Sequence, residues 1–450
     1  MRRVLVVAYF FPPVGGVGIE RTLKHVTYLP EHGWQPVVVT VSGSGYRIVE
    51  PASERRVPAG VEVYRSGTAE PAHLRRALGR LVSHGPVRGG APAAARSDGR
   101  VAARGGSLRA MANRAWGRLM PLLFFPDDQV IWGRGAARLG LRVHAAEAVD
   151  AIYSSSPPIS GHLAAERIAG RAGLPWIADF RDPWIGNSFA RPLNPLHRAI
   201  QRRLERRIVE GADRVVVATA GMREQFAARY PGQSGRIIHV PNGYDPLDLQ
   251  VPAAERAADG TYRLTYAGSM YGEDELTVFL DGLQLLLGRQ PAVRDRLRVE
   301  FVGWFSAATQ AISVRRFPAL EPVVRQVGFV DRERAIALQR ASDAGLVIIS
   351  GTGNRGVVAT SKIYEYLGLD LPVLAIVPPG EVRQILGGLD WGVVADPTPE
   401  GVANGLERIM EVRRPTSAAD PERHYERRNL SAELARLLEE VTEEAAAKRN

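Results

Sequence analysis

Residues 4–20 read VLVVAYFFPPVGGVGIE, and this stretch contains the pattern that decides the fold. An uninterrupted apolar run of strand length, Val4 to Tyr9, leads through two prolines into a glycine-rich turn, Gly15 to Gly18. A continuous apolar run is typical of a strand that is buried on both faces, and the glycines predict a tight turn before a helix near Glu20. The chain therefore opens with one strand–turn–helix unit of a parallel α/β sheet.

The same alternation of strand-length apolar runs and helical stretches continues through the first half of the chain. The predicted strands are Val4–Tyr9, Pro36–Val41, Val61–Tyr64, Ala151–Ser154, Trp176–Phe180, Arg214–Ala218 and Ile237–Val240. The predicted helices lie near residues 20–31, 159–172, 195–210 and 221–230. The pattern predicts a doubly wound, Rossmann-like domain over residues 1–245, with helices on both faces of the sheet.

A second set of strands and helices begins after a small polar linker, Ala254–Gly260. The predicted strands are Tyr262–Ala267, Arg298–Val302, Val324–Val327, Ala344–Ile349, Val373–Ile376 and Gly392–Val394, and the predicted helices lie near 273–288, 331–341, 361–368 and 380–387. These elements predict a second Rossmann-like domain over 255–415. A helical segment, 416–450, is expected to pack back on the first domain, and two such domains facing each other would form a cleft at the carboxyl ends of both sheets.

Composition narrows the class of protein. The chain has 450 residues, of which 45% are hydrophobic, so it can bury more than one core. It has no cysteine, which excludes disulfide scaffolds, thiolate metal sites and cysteine nucleophiles. The apolar runs are too short or too interrupted to span a bilayer, and the first one lacks the small-residue cleavage site of a signal peptide. We therefore expect a cytoplasmic protein.

The positive charge is concentrated in one segment. The net charge is +10, and ten arginines but a single acid lie between Pro71 and Pro126. We interpret residues 70–118 as a basic variable insertion in the first domain. No aromatic residue occurs from Arg65 to Ala115, which disfavours single-stranded nucleic acid as a partner. The arginines and the apolar run after them are compatible with a peripheral contact at an anionic inner membrane surface, or with a merely solvated insertion.

Two glycine turns are candidate ligand loops. The glycines near Gly16 allow backbone N–H groups to approach a phosphate or a sugar at a helix N-terminus, but they do not form the G-x-G-x-x-G pattern. No acid follows the second strand either, so a dinucleotide-binding fold is disfavoured. Ala267-Gly268-Ser269 follows the first strand of the second domain and could bring backbone close to a diphosphate. A purely structural turn is the alternative in both places.

The densest signal lies at residues 354–367, which read NRGVVATSKIYEYL. Thr360 or Ser361 is a good N-cap for the helix that follows. Lys362 and Glu365 are three residues apart and therefore share one face of its first turns. A cation there can meet a diphosphate while the carboxylate accepts hydrogen bonds from ribose hydroxyls, and the helix N-terminus adds positive potential. An exposed surface ion pair is the alternative interpretation.

Several motifs in a fixed order extend the argument to a family. They are Pro12-Pro13 with Gly15-Gly16, Ala178–Trp184, Val240–Asp245, Tyr266–Ser269, Phe301–Gly303, Val327–Val330, and Ser361–Leu367 followed by Leu371–Ala375. Together they resemble the family 4-like glycosyltransferases of the GT-B fold, over almost the whole chain except the basic insertion. The segment Phe180–Trp184 is similar to a sub-branch of surface-polysaccharide enzymes.

The resemblance implies transfer of a sugar from a nucleotide-diphosphate sugar to a glycan, lipid-linked or small-molecule acceptor. It implies retention at the anomeric carbon and no metal or other cofactor. By the resemblance Glu365 binds the ribose hydroxyls and Lys362 contacts the diphosphate. The resemblance makes the first domain the acceptor-binding one and the second the donor-binding one, with Gly268 in the donor loop. Gly16 lies in the glycine-rich loop of the acceptor domain and is also a donor-binding candidate. The other donor-binding positions are Gly268, Ser269, Gly328, Val330, Arg355 and Ser361. The catalytic candidates are Arg181, Asp182 and Lys362.

The sequence departs from the family pattern in three places. Val357 stands where the first of two paired glutamates is expected, and the basic residues usual after the donor-loop glycine are missing. Arg181 occupies the approximate position of a frequent histidine. A non-catalytic sugar-nucleotide-binding or scaffold protein is therefore the alternative, and an epimerase of related fold is less favoured because its acids and histidines are not identifiable. The histidines lack metal-ligand spacing, so no metal site is expected.

Overall fold

The structure is a computed structural model that describes residues 1–42, 49–71, 124–186, 194–270, 272–349, 354–415, 420 and 423–449. Almost all of the predicted basic insertion, 70–118, lies outside the described residues. The chain separates into two compact units. The first unit contains the described residues up to Asn242 and those from Arg427 onward, and the second unit is Gly243–Glu426.

The first unit is built on one parallel sheet. Its strands are β1 (Arg2–Ala8), β2 (Trp34–Val41), β3 (Glu62–Ser66), β4 (Ala151–Ser156), β5 (Trp176–Phe180), β6 (Arg214–Val217) and β7 (Ile237–His239). Their spatial order is β3-β2-β1-β4-β5-β6-β7, and Val6 in β1 lies opposite Val38 on one side and Tyr153 on the other. All seven predicted strands are confirmed. The order reverses between β1 and β4, the point where such sheets usually bind ligands.

The second unit repeats this design with six parallel strands. They are β8 (Tyr262–Ala267), β9 (Leu297–Val302), β10 (Val324–Gly328), β11 (Ala344–Ile348), β12 (Val373–Ile376) and β13 (Gly392–Ala395), in the spatial order β10-β9-β8-β11-β12-β13. The six predicted strands are confirmed, and the order reverses between β8 and β11. Both units are thus doubly wound α/β domains, as the sequence predicted.

Helices cover both faces of each sheet. Those of the first unit are α1 (Glu20–Tyr28), α2 (Val130–Ala146), α3 (Ile159–Ala172), α4 (Pro195–Gly211) and α5 (Ala220–Arg229). Those of the second unit are α6 (Glu273–Arg289), α7 (Val293–Arg296), α8 (Ala307–Leu320), α9 (Arg332–Arg340), α10 (Ser361–Gly368), α11 (Glu381–Leu386) and α12 (Pro399–Ile409). The last helix, α13 (Arg427–Ala447), belongs to the first unit and packs against α1, as predicted.

The two faces of the first sheet have separate apolar cores. Helices α2 to α5 bury Trp132, Ile168 and Phe226 on one face. Helices α1 and α13 bury Leu23 and Leu438 on the other. In the second unit α6, α8 and α12 cover one face, whereas α9, α10 and α11 cover the other. Each sheet is therefore covered on both sides, which is why central strands such as β4, β5, β11 and β12 are fully buried. The edge strands β3 and β10 contain polar, partly exposed residues.

The domain boundaries differ from the predicted ones. The first unit ends at Asn242 and not at 245, and the second begins at once and not at 255. The reason is packing, since Leu249 belongs to the same apolar cluster as Tyr366. The Tyr244 backbone N–H also donates to the Tyr425 carbonyl at 2.9 Å, which keeps residues after 416 in the second unit. The segment that returns to the first unit therefore begins at Arg427.

Candidate functional site

Three glycines converge at the carboxyl edge of the second sheet. Gly268 follows β8, Gly303 follows β9 and Gly328 ends β10, and their φ angles are +138°, +139° and +86°. A Cβ atom on Gly303 would overlap the Gly268 carbonyl oxygen. The Gly303 N–H donates to the Gly328 carbonyl at 2.8 Å, which ties the next loop to this pair. Only glycine tolerates these backbone angles and contacts, so bare main chain lines this edge.

Two further predicted positions lie in the same loops. Ser269 is half-buried, and its carbonyl accepts a hydrogen bond from the Tyr266 hydroxyl at 3.0 Å. Val330 is half-buried beside the largely exposed Phe329. The Gly268 loop and the turn after β10 therefore meet at this edge, with Gly303 in contact with both.

Helix α10 places Lys362 directly on the Gly268 loop. Thr360 is the N-cap, since its Oγ1 accepts from the Lys362 N–H at 3.3 Å, and Ser361 is the first helical residue. The Lys362 Nζ lies 4.6 Å from the centroid of the Tyr266 ring, a cation–π distance. A Cβ atom on Gly268 would come within 2.5 Å of Lys362 Cε. The ammonium group therefore lies close to the Gly268 backbone and the Tyr266 ring.

A buried tyrosine holds α10 against the sheet at the point where the strand order reverses. The Tyr366 hydroxyl lies 3.1 Å from the Thr265 carbonyl and 3.3 Å from the Leu346 carbonyl, and it accepts from the Ala267 N–H at 3.3 Å. Burial raises the pKa of Tyr366, so the group stays a neutral donor. This contact fixes the first turns of α10 at the ends of β8 and β11.

The Glu365 carboxylate is held by a partner that the sequence analysis did not identify. Arg332, the first residue of α9, donates from Nη1 to Glu365 Oε1 at 2.8 Å. Its Nη2 lies 3.7 Å from Asp248 Oδ2, and the Glu365 side chain is only 16% exposed. Arg332 therefore links the loop after β10 to the face of α10 that carries Glu365.

The segment before α10 is also fixed by backbone contact. Val357 is half-buried in a 3₁₀ turn, Asn354–Val357. Gly380 has φ +149°, and a Cβ atom there would overlap the Gly356 carbonyl oxygen. The Arg355 side chain lies outside the described residues.

In the first unit, Arg181 holds the glycine turn in place. Its Nε donates to the Ser156 carbonyl at 3.1 Å, its Nη1 donates to the Gly18 carbonyl, and its guanidinium lies 5.4 Å from the centre of the Phe10 ring. Gly16 has φ +97°, so this turn requires glycine. These contacts assign Arg181 a positioning role in the turn, and its catalytic role stays a prediction.

Unlike Arg181, Asp182 has a side chain without a hydrogen-bonding partner among the described residues. Its carboxyl group is half-buried and makes no hydrogen bond or ion pair with the part of the chain that the structure describes. Burial raises the pKa of Asp182, although the charge of Arg181 acts in the opposite direction. A carboxyl group with spare hydrogen-bonding capacity suits a contact with a hydroxyl group.

A buried ion pair lies beneath this turn and was not predicted. Arg21 donates to both oxygens of Asp179, at 2.8 and 2.9 Å, and both side chains are almost fully buried. Asp179 also accepts from the hydroxyls of Tyr153, at 2.5 Å, and Ser155, at 3.2 Å. Burial alone would raise the pKa of Asp179, but the charge and hydrogen bonds of Arg21 lower it overall. The pair fastens α1, and so the glycine turn, to β5.

Two absences apply to the described residues. They contain no cluster of three or more acidic or histidine side chains that could hold a metal ion. Within the same residues, no helix combines the length and the apolar character that a membrane crossing needs.

Comparisons with known proteins identify the family to which the chain is similar. The model of the glycosyl transferase 4-like domain matches residues 17–243. The D-inositol 3-phosphate glycosyltransferase of Nocardiopsis dassonvillei is 28% identical over 222 residues, which are 46% of this chain and 49% of that protein. The enzyme of the same name from Kineococcus radiotolerans is 28% identical over 48% of this chain and 49% of its own length. The chain thus spans about half the length of the curated relatives that it matches.

Solved structures resemble the chain over nearly its whole length. A glycosyltransferase from Rickettsia africae has a TM-score of 0.57 at 11% identity, with 99% of this chain and 98% of that chain covered. Anabaena HepE, solved with UDP and glucose, has a TM-score of 0.53 at 13% identity over 100% and 99% of the two chains. Sucrose-phosphate synthase from Thermosynechococcus elongatus has a TM-score of 0.57 at 13% identity over 100% and 98%. Likeness at this level of identity shows the fold, which is GT-B.

Proposed function

Because the chain belongs to the glycosyl transferase 4-like family, we propose that it transfers a sugar from a nucleotide-diphosphate sugar to an acceptor hydroxyl. The observation that carries the proposal is the convergence of Gly268, Lys362 and Glu365 at one edge of the second sheet. A glycine backbone that a phosphate can approach closely, a cation and a carboxylate are features that bind a phosphate chain and a ribose. We further propose retention at the anomeric carbon, without a metal ion or another cofactor.

The second unit binds the donor in this proposal. Lys362 neutralises charge on the diphosphate, and the loop at Gly268 offers backbone close to it. One oxygen of Glu365 is held by Arg332, and the other accepts hydrogen bonds from the ribose hydroxyls. The turn from Gly328 to Val330 lies beside the base. Leaving-group charge increases as the glycosidic bond breaks, so Lys362 contributes more to the transition state than to substrate binding.

The first unit binds the acceptor in this proposal. The turn at Gly16 offers main-chain groups, and Asp182 has a carboxyl group that can contact a hydroxyl of the acceptor. The curated relatives are named for D-inositol 3-phosphate, and this supports a phosphorylated polyol as the first acceptor to test. Surface glycans and lipid-linked intermediates are the other acceptor classes to test.

Ligand binding to the full chain tests the donor site. Thermal shift and calorimetry with uridine, guanosine, adenosine and thymidine diphosphates should give one selective ligand, because binding stabilises the folded protein. Glu365→Gln should weaken that affinity by about 1 to 3 kcal/mol, the scale of a lost charged hydrogen bond. Lys362→Ala should lower the affinity for the nucleoside diphosphate more than the affinity for the free nucleoside.

Two matched controls make the test specific. Glu333→Gln and Lys448→Ala change the same residue types at exposed positions and should leave affinity unchanged. Loss of affinity in the site variants alone supports the donor site. Unchanged affinity in Glu365→Gln, or no ligand across the panel, would contradict the proposal and favour a non-catalytic scaffold.

A further inference from the structure

The outer surfaces of α2, α3 and α4 form an unusually basic region of the first unit. The three helices contain ten arginines and three glutamates, and all ten arginines are exposed. The arginines are Arg134, Arg138 and Arg142 on α2, Arg167 and Arg171 on α3, and Arg198, Arg202, Arg203, Arg206 and Arg207 on α4. We call this surface the arginine face.

The three glutamates offset only part of the charge of the arginine face, and of them only Glu210 is exposed. Glu205 is fully buried and accepts from the Tyr230 hydroxyl at 2.8 Å. Glu166 pairs with Arg207, Oε1 to Nε at 2.7 Å, and this pair joins α3 to α4. The side chains of the other nine arginines make no hydrogen bond or ion pair with the described parts of the chain. Their charge is therefore available to a partner.

The three helices present these arginines on one side. Helix α2 packs on α3 and α3 packs on α4, and all three bury apolar side chains against the same face of the sheet. On α2 and on α4 the arginines recur every fourth residue, as in Arg198, Arg202 and Arg206. Residues at this spacing line one side of a helix, so the charges form rows that point away from the core.

Apolar side chains are exposed among the charges. Leu196 is 67% exposed, Ile131 39% and Ile200 37%. Leu196 and Ile200 are one turn apart on α4 and lie on the same exposed side as Arg203 and Arg207. The only tryptophan of the three helices, Trp132, is fully buried. Arginines interspersed with exposed aliphatic groups suit the interface of a bilayer, whereas nucleic-acid surfaces usually offer aromatic rings for base stacking.

We infer that the arginine face binds the anionic surface of a lipid bilayer. The guanidinium groups donate hydrogen bonds to lipid phosphates, and Leu196 and Ile200 insert into the headgroup region. This surface is separate from the residues proposed for the donor and the acceptor, and it does not depend on the basic insertion. It would bring a glycosyltransferase to acceptors that lie at a membrane.

Vesicle binding of the full-length protein tests the inference. The probe is sedimentation with vesicles of phosphatidylcholine alone and of equal parts phosphatidylcholine and phosphatidylglycerol. Arg202→Gln, Arg203→Gln and Arg206→Gln together remove three charges. Each basic residue near an anionic surface is worth about fivefold in partitioning, so the triple variant should bind roughly a hundredfold more weakly.

Two further variants distinguish binding by the arginine face from a general effect of the protein's positive charge. Arg296→Gln, Arg315→Gln and Arg334→Gln together remove the same charge from exposed positions in the second unit and should change binding little. The charge-neutral variant Leu196→Ser with Ile200→Ser should also bind more weakly.

The expected result is a selective loss of binding to phosphatidylglycerol vesicles in the two arginine-face variants, with nucleoside diphosphate affinity unchanged. Equal loss in both triple variants, or no loss in either, would overturn the inference. Binding of a fluorescent single-stranded RNA would be measured for the same variants. If the arginine variant binds vesicles normally but no longer binds this RNA, the inference is overturned in favour of nucleic acid.

Discussion

The buried Arg21–Asp179 pair offers a test of how the glycine turn is held. The perturbation is Arg21→Met, which keeps an unbranched apolar stem and removes the charge. In the structure Arg21 makes two hydrogen bonds to Asp179, one to the Pro241 carbonyl at 2.7 Å and one to the Val240 carbonyl at 3.0 Å. The variant leaves Asp179 buried without a counterion.

The expected cost follows from this geometry. Breaking a buried ion pair on one side costs about 3 to 5 kcal/mol, because the remaining charge is uncompensated. For a unit of this size each kcal/mol lowers the melting temperature by roughly 2 to 4 °C, so a fall of about 6 to 20 °C is expected. Arg436→Met breaks a pair that is exposed on α13 and should cost about 0 to 1 kcal/mol.

The pH dependence has a definite sign. Arg21 lowers the pKa of Asp179 in the folded protein, so the stability from this pair is present above the unfolded pKa of about 4 and is lost as the pH falls through the folded value. Arg21→Met removes the charge and hydrogen bonds that oppose burial most strongly and leaves the hydrogen bond from Tyr153, so Asp179 takes up a proton more readily. The difference between wild type and variant should therefore be largest near neutral pH and smaller toward pH about 4.

The assay is thermal and urea unfolding, followed by near-UV circular dichroism, at neutral and at acid pH. The double variant Arg21→Met with Asp179→Leu removes both charges and should recover most of the lost stability. A cost below about 1 kcal/mol for the single variant at neutral pH, or a cost that does not shrink on acidification, would refute the reasoning.

Two further predictions concern the donor site. Gly268→Ala should lower nucleoside diphosphate affinity at least tenfold, since φ +138° is strained for alanine and the new Cβ would displace the lysine on α10. Gly288→Ala, in α6 with open space around it, is the control and should bind normally in calorimetry. Arg332→Leu should lower the affinity for the same nucleoside diphosphate about three- to tenfold, because Glu365 is no longer held in place. Arg332→Lys should recover part of the loss. Normal affinity in Arg332→Leu, or an equal loss in Arg334→Leu, would contradict this role.

The sheets were predictable because their physics is local. A strand buried on both faces is a continuous apolar run, as in β1 and β12, and each of the thirteen strands predicted from the sequence is a strand of the structure. The sequence analysis missed helices α2, α7, α8 and α12, and in two of these, α2 and α8, the local helix signal is weak. In α2 a Cβ atom on Gly133 would come within 2.7 Å of the Ser160 carbonyl oxygen, so this glycine-rich helix is set by close packing on α3. Helix α8 contains Pro318, which weakens any local helix signal.

In the candidate site too, the residues that share a local pattern were predictable, whereas those joined only by the fold were not. Lys362 and Glu365 were found because they lie three residues apart on one helix. Arg332 is 33 residues from Glu365, and Arg21 is 158 residues from Asp179, so no spacing rule links them. Such pairs depend on the order of strands in the folded sheet. The sequence therefore identified which groups could carry the chemistry, whereas the folded chain shows what holds them in place.

The most direct measurement of the central claim is turnover of nucleotide sugars by the full chain. Uridine, guanosine, adenosine and thymidine diphosphate sugars would each be incubated with inositol phosphates, glycans and lipid-linked acceptors, and release of nucleoside diphosphate would be followed with NMR of the glycoside. We expect one donor class, an acceptor-dependent glycoside with the anomeric configuration of the donor, and a large loss of turnover in Lys362→Ala. Tight nucleotide binding with no transfer to any acceptor, or equal turnover in Lys362→Ala, would contradict the central claim.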